Sequence, residues 1–109
     1  MRFAHLRRPD SPLAVLAVVE GSDAILVSDL LNDPPATLQQ LIEGGDGALE
    51  ALREALATGA ARRHPLDGWA FASAVLAPPA VLAVGLNYAA HPSELGLKTD
   101  AAPTVFTLW

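Results

Sequence analysis

The sequence predicts an α+β chain, a small antiparallel β-meander with two short helices followed by further strands. Three observations carry that expectation. The first thirty residues hold short β-rich runs broken by turn formers; residues 37 to 58 switch to helical periodicity; from Pro65 the chain returns to uninterrupted apolar runs. With 109 residues, 51% hydrophobic and 17% charged, it is long enough for one main core filled by Ala, Leu and Val.

Arg2 to Arg7 alternate loosely and stop at Pro9-Asp10, a turn signal. "PLAVLAVVEG" and "AILVSDL" are joined by Glu20-Gly21-Ser22-Asp23, which reads as a hairpin and completes a three-stranded meander. After Asp33-Pro34-Pro35, Thr37 and Gln40 have the spacing of a capping box, with the Thr hydroxyl accepting the third amide and the Gln side chain reaching back. A helix from Thr37 to about Glu43 should follow, ended by Gly44-Gly45. Asp46 is then expected to cap the helix "GALEALREALATG". There Leu49, Leu52 and Leu56, with Ala48, Ala51 and Ala55, form the apolar stripe, and Glu50, Arg53 and Glu54 face water. Gly59 should stop that helix, with Arg62-Arg63 at the negative end of its dipole.

"FASAVLAP" and "AVLAVGL" flank Pro78-Pro79 and read as strands buried on both faces. "PTVFTLW" has strand propensity in Val105 and Phe106. The composition shift at Pro78-Pro79 places a boundary there, giving residues 1–77 and 78–109 as two regions.

A net charge of −5 repels a phosphate backbone, and the basic clusters Arg7-Arg8 and Arg62-Arg63-His64 are too short to reverse that, so no nucleic-acid partner is expected. The absence of cysteine removes disulfides, thiolate metal sites and a Cys nucleophile together. The basic start followed by an apolar run has the look of a signal peptide, but Pro9, Asp10 and Pro12 interrupt it and no cleavage pattern follows. Trp69 to Leu86 is uncharged and near spanning length, yet Pro78-Pro79 breaks it. Neither stretch reads as a membrane element, and a cytoplasmic protein is the expectation.

Chemistry concentrates in "VGLNYAAHPSELG", residues Val84 to Gly96. Gly85 after an apolar run allows a sharp exit or a close ligand approach, and Asn87 could cap a following turn. On a helix, His91 and Glu94 share one face, so the carboxylate could hold one ring nitrogen and leave the other as a base. Pro92 fits only if it occupies the first turn of that helix. The same H-x-x-E pattern also reads as a charged pair on a surface helix, or as two metal ligands with no third nearby. His5 and His64 read as structural or solvated, and Lys98 as a loop residue that could meet an acidic substrate.

The G-L-N-Y-x-x-H-x-x-E core of "VLAVGLNYAAHPSELG", with the later "PTVF", resembles the entry to the catalytic domain of the fumarylacetoacetate hydrolase family. The preceding eighty residues resemble the smaller N-terminal domain of bacterial members. The resemblance implies a family N-terminal domain over 1–77 and, over 78–109, the first strands of an incomplete β-roll. It implies a parent enzyme, a homodimer, that uses Mg²⁺ or Mn²⁺ on small β-diketo or 2-oxo acids, by C–C hydrolysis, decarboxylation or keto-enol isomerisation. His91 matches the family's proton-shuttling His, and Glu94 the acid that pairs with it. The family's metal ligands are a downstream E-x-E pair and a later Asp, together with a Lys of the roll, and no position up to Trp109 matches them. No cofactor is therefore expected on this fragment, which should be inactive alone. The alternative is a stand-alone binding or dimerisation module with a vestigial His-x-x-Glu motif.

Overall fold

The computed structural model describes residues 1–85 and 104–108. The chain divides into two compact units, Met1–Leu76 and Ala77–Trp109.

In the first unit β1 (Phe3–Arg7), β2 (Ala14–Glu20) and β3 (Asp23–Leu26) form the antiparallel meander. Glu20 pairs with Asp23, so the hairpin closes through Gly21-Ser22 alone. Gly21 takes φ 59°, the left-handed region that two-residue hairpin loops need and that costs glycine no steric clash. Two short strands enlarge the meander. β4 (His64–Pro65) adds to β3 and β5 (Ala70–Phe71) adds to β1, giving five strands in the order β4-β3-β2-β1-β5.

That order dictates curvature. Pro65 and Ala70 are close enough in sequence that the chain between them reaches about 17 Å at most. Opposite edges of a flat five-stranded sheet would stand about 19 Å apart. The connection is also a tight turn, in which the Trp69 amide donates to the Leu66 carbonyl at 3.0 Å and the Leu66 amide donates to the Ser22 carbonyl at 2.8 Å. The sheet therefore curls until its outermost strands share one turn.

One face of the sheet packs on the helices α1 (Leu38–Glu43) and α2 (Gly45–Ala57). Leu16 and Val18 from β2, Val27 from a single 3-10 turn after β3, Leu41 from α1 and Leu52 from α2 are buried together. Burying a Leu such as Leu52 contributes about 1.5–3 kcal/mol. On the other face Leu6, Ala17 and Ala24 are buried under Leu66 and Trp69 of the β4–β5 turn. Both faces are thus closed within the first unit.

Thr37 caps α1 as the sequence predicts. Its hydroxyl accepts the Gln40 amide at 3.2 Å, and the Gln40 side-chain oxygen accepts the Ala36 amide at 2.8 Å. Asp46 does not cap α2. Gly45, at φ 62°, turns the chain straight from α1 into α2, so the cap position falls on Gly44 and Asp46 lies in the first turn. Arg62-Arg63 do not serve the other end either, since no basic residue lies in the last turn of α2. Arg63 instead pairs with Glu20 of β2 at 2.8 Å. The Thr58 hydroxyl donates to the Ala55 carbonyl at 2.7 Å at that terminus.

"FASAVLAP" is not a strand beyond Phe71. The Ala72 amide donates to the His5 carbonyl at 2.8 Å, and there the chain leaves the ladder. One residue on, the Ser73 carbonyl accepts from the His5 ring, and the Ser73 hydroxyl donates to the Val75 carbonyl at 2.8 Å. These local bonds occupy groups that a continuing strand would need, and Phe71, Val75 and Leu76 are exposed.

In the second unit β6 (Val81–Gly85) pairs antiparallel with β7 (Thr104–Leu108), in the register Ala83 opposite Phe106 and Val84 opposite Val105. Period-2 alternation puts Val81, Ala83 and Phe106 on one face and Leu82, Val84 and Val105 on the other. The strands stand where the sequence predicts them, with apolar residues on both faces. They are not buried: Val81, Leu82, Val84, Val105 and Phe106 are all exposed.

Candidate functional site

His91 and Glu94, with Asn87, Pro92 and Lys98, lie outside the described residues. What is described is the frame that holds both ends of their segment. β6 ends at Gly85 and β7 begins at Thr104, and these two residues sit opposite one another in the ladder. Gly85, which the sequence offers as a place for a sharp exit or a close ligand approach, is the last residue of β6.

Among the described residues two histidines, His5 and His64, are held by polar partners. His5 is 1% exposed. Its Nε2 accepts the Leu38 amide at 3.3 Å, and its Nδ1 lies 3.1 Å from the Ser73 carbonyl. An amide can only donate, so Nε2 is the acceptor and the hydrogen sits on Nδ1, where it is donated to Ser73. Both nitrogens are committed to backbone partners. The structural reading of His5 holds, and the ring has no free position for acid-base work.

The second arrangement was not visible in the sequence. His64 on β4 places Nε2 3.4 Å from a carboxylate oxygen of Asp29, at the end of the 3-10 turn, a long and weak contact. The Trp69 ring meets the His64 ring edge-on, centroids 6.2 Å apart, and the Arg8 guanidinium lies 5.0 Å from the Trp69 ring centre. Trp69 also covers Leu6 and its neighbours, so this cluster closes the second face of the sheet. A His–Asp pair orients an imidazole. Among the described residues no three His, Asp or Glu side chains converge as metal ligands would.

An open, largely apolar depression of about 320 Å³ is lined by Phe3, Leu38, Leu41, Ile42, Asp46 and Leu49. It brings together no acid and base. Also among the described residues, no helix is long and apolar enough to cross a membrane.

No family model matches the sequence. Curated proteins do. A mitochondrial oxaloacetate tautomerase of Rattus norvegicus, Fahd2a, is 36% identical over 109 residues, covering 98% of this chain and 34% of the relative. The human mitochondrial oxaloacetate tautomerases FAHD2B and FAHD2A are 29% and 28% identical, again over 98% of this chain and 34% of each relative. The chain is similar to oxaloacetate tautomerases along almost its whole length. It spans about a third of the length of these relatives, which are members of the fumarylacetoacetate hydrolase-domain family.

Proposed function

We propose that this chain is part of a fumarylacetoacetate hydrolase-family enzyme acting on small 2-oxo or β-diketo acids, and that the reaction is keto-enol isomerisation. The observation that carries the reading is the similarity to oxaloacetate tautomerases over 98% of the chain. It favours isomerisation over the C–C hydrolysis and decarboxylation that the motif alone leaves open, and it is reinforced by the G-L-N-Y-x-x-H-x-x-E core.

The chemistry assigns roles to two residues. Keto-enol exchange in a 2-oxo acid moves a proton from the carbon beside the ketone to the ketone oxygen, so it needs a base at that carbon and a donor at that oxygen. His91 takes the carbon proton as a neutral imidazole and, as the imidazolium so formed, delivers it to the ketone oxygen, closing the proton balance. Glu94 positions the imidazole by accepting from its other nitrogen. In the parent, Mg²⁺ or Mn²⁺ would stabilise negative charge developing on the enolate oxygen. The described residues do not fit such an ion, because no three potential ligands meet among them. The parent is proposed to be a cytoplasmic homodimer without nucleic-acid or membrane partners, and this chain to be inactive alone.

The test is an oxaloacetate enol-to-keto assay followed by ultraviolet absorbance with Mg²⁺ present, run on two proteins. One is the 109-residue chain; the other is a chimaera in which this chain replaces the matched third of the rat tautomerase. No turnover above background is expected from the first, and His91→Gln should abolish that of the second. Robust turnover by the chain alone would sink the inactivity claim, and an active His91→Gln chimaera would sink the assignment of the base.

A second reading has one observation in its favour. The first unit buries cores on both faces of its sheet from its own residues, which suits a stand-alone binding or dimerisation module. A chimaera that is well folded and inactive would favour it.

A further inference from the structure

We propose that His5 is a two-ended latch through which the start of α1 and the exit of the chain from the first unit open and close together. The ring is buried on β1 and touches two segments remote from it in sequence. At Nε2 it accepts from Leu38, the first residue of α1, whose amide has no partner within the helix. At Nδ1 it donates to Ser73, three residues before the end of the unit at Leu76. The His5 carbonyl holds the neighbouring Ala72 amide at 2.8 Å, so the exit segment is tied to one residue by side chain and backbone.

The coupling follows from the ring's rigidity and its tautomer. Imidazole is planar, so Nδ1 and Nε2 cannot be re-aimed independently. Rotating the ring to follow a displaced Ser73 withdraws the acceptor from Leu38. A shift of α1 that takes Leu38 away likewise leaves the ring free to turn from Ser73. Two local alternatives are already engaged: the Thr37 hydroxyl accepts the Gln40 amide, and the Ser73 hydroxyl donates to the Val75 carbonyl. Two segments that share one acceptor-donor body have two joint states, bound and released. That is what energetic coupling between them requires.

Asparagine and glutamine separate the two ends, because the Asn side-chain nitrogen reaches about where Nδ1 lies and the Gln amide about where Nε2 lies. Amide hydrogen exchange, read residue by residue by NMR, is measured on the native chain and on His5→Asn and His5→Gln. Leu38 and Ala72 report the two ends, and Val18, buried in β2, reports global unfolding. In the native chain Leu38 and Ala72 should open with one shared denaturant dependence, more readily than Val18. Each variant should accelerate exchange at both reporters by about tenfold or more, the scale of one lost hydrogen bond. The latch is overturned if His5→Asn accelerates only Leu38 and His5→Gln only Ala72. It is equally overturned if, in the native chain, the two reporters open with different denaturant dependences or exchange only together with Val18, measurements that do not depend on either variant folding.

Discussion

The Leu38 amide, which α1 cannot satisfy internally, ends on the imidazole of His5 at 3.3 Å, 33 residues away in sequence. A helix start is thereby capped twice, locally by Thr37 and at long range by a strand residue. His5→Ala would leave the Leu38 amide and the Ser73 carbonyl unpaired in a half-buried setting. A loss of about 2–4 kcal/mol is expected, read as a lower urea midpoint by far-ultraviolet circular dichroism. A change under 1 kcal/mol, on the order of an exposed polar contact, would show that water replaces the ring at both ends.

The tautomer is checked separately. Long-range ¹⁵N–¹H correlation spectra of the His5 ring should show the hydrogen on Nδ1, since Nε2 faces a donor. A spectrum with the hydrogen on Nε2 would contradict the Leu38 contact.

Leu52 of α2 is fully buried beside Leu16, Val18, Val27 and Leu41. Leu52→Ala should cost about 2–5 kcal/mol through lost transfer energy and the cavity left behind. A small domain has only about 5–15 kcal/mol to lose, so the thermal transition of the variant should fall by many degrees. Ala51, which the sequence assigns to the apolar stripe, is exposed instead, so Ala51→Ser should barely shift it.

Gly21 offers a purely backbone test. A Cβ at this position meets nothing within 4 Å, so Gly21→Ala adds no clash with a neighbour and isolates the cost of φ 59°. That cost is about 1–2 kcal/mol. Gly21→Asn, whose side chain tolerates left-handed backbone, should recover part of it, and both are read by chemical denaturation.

The exposed residues of β6 and β7 give an opposite expectation. Replacing Val84 and Val105, which face each other across the ladder, with Thr should leave the unfolding of the first unit unchanged within about 0.5 kcal/mol. Binding of a hydrophobic dye by the whole chain should fall. A large loss of stability in the first unit would mean that those valines support its core.

Much of the fold was legible because it is local. The Thr37–Gln40 box, the Gly21 loop and the Leu49, Leu52, Leu56 stripe are each decided within a few residues, and each stands where the sequence places it. Long-range pairing was not legible. β4 and β5 are too short to carry a periodic signal, and they exist because β3 and β1 offer them open ladders. The run "FASAVLAP" was hydrophobic enough to pass for a strand, but a ring 68 positions earlier takes the Ser73 carbonyl. Of the candidate site, the Gly85 exit and the flanking strands are described, while His91 and Glu94 fall outside the described residues. The His64–Asp29 contact joins residues 35 apart, beyond any helix or hairpin spacing.

The curled sheet has a consequence for self-association. Its outer strands are only two residues long and bend toward a common turn, so the first unit offers an approaching chain little straight backbone to zip onto. β6 and β7 are the reverse, five residues each, rich in Val, Leu and Phe, and with outer amides and carbonyls that no third strand meets among the described residues. If this chain polymerises, the growing ladder should incorporate residues 81–85 and 104–108, and residues 3–26 should keep their native pairing inside it.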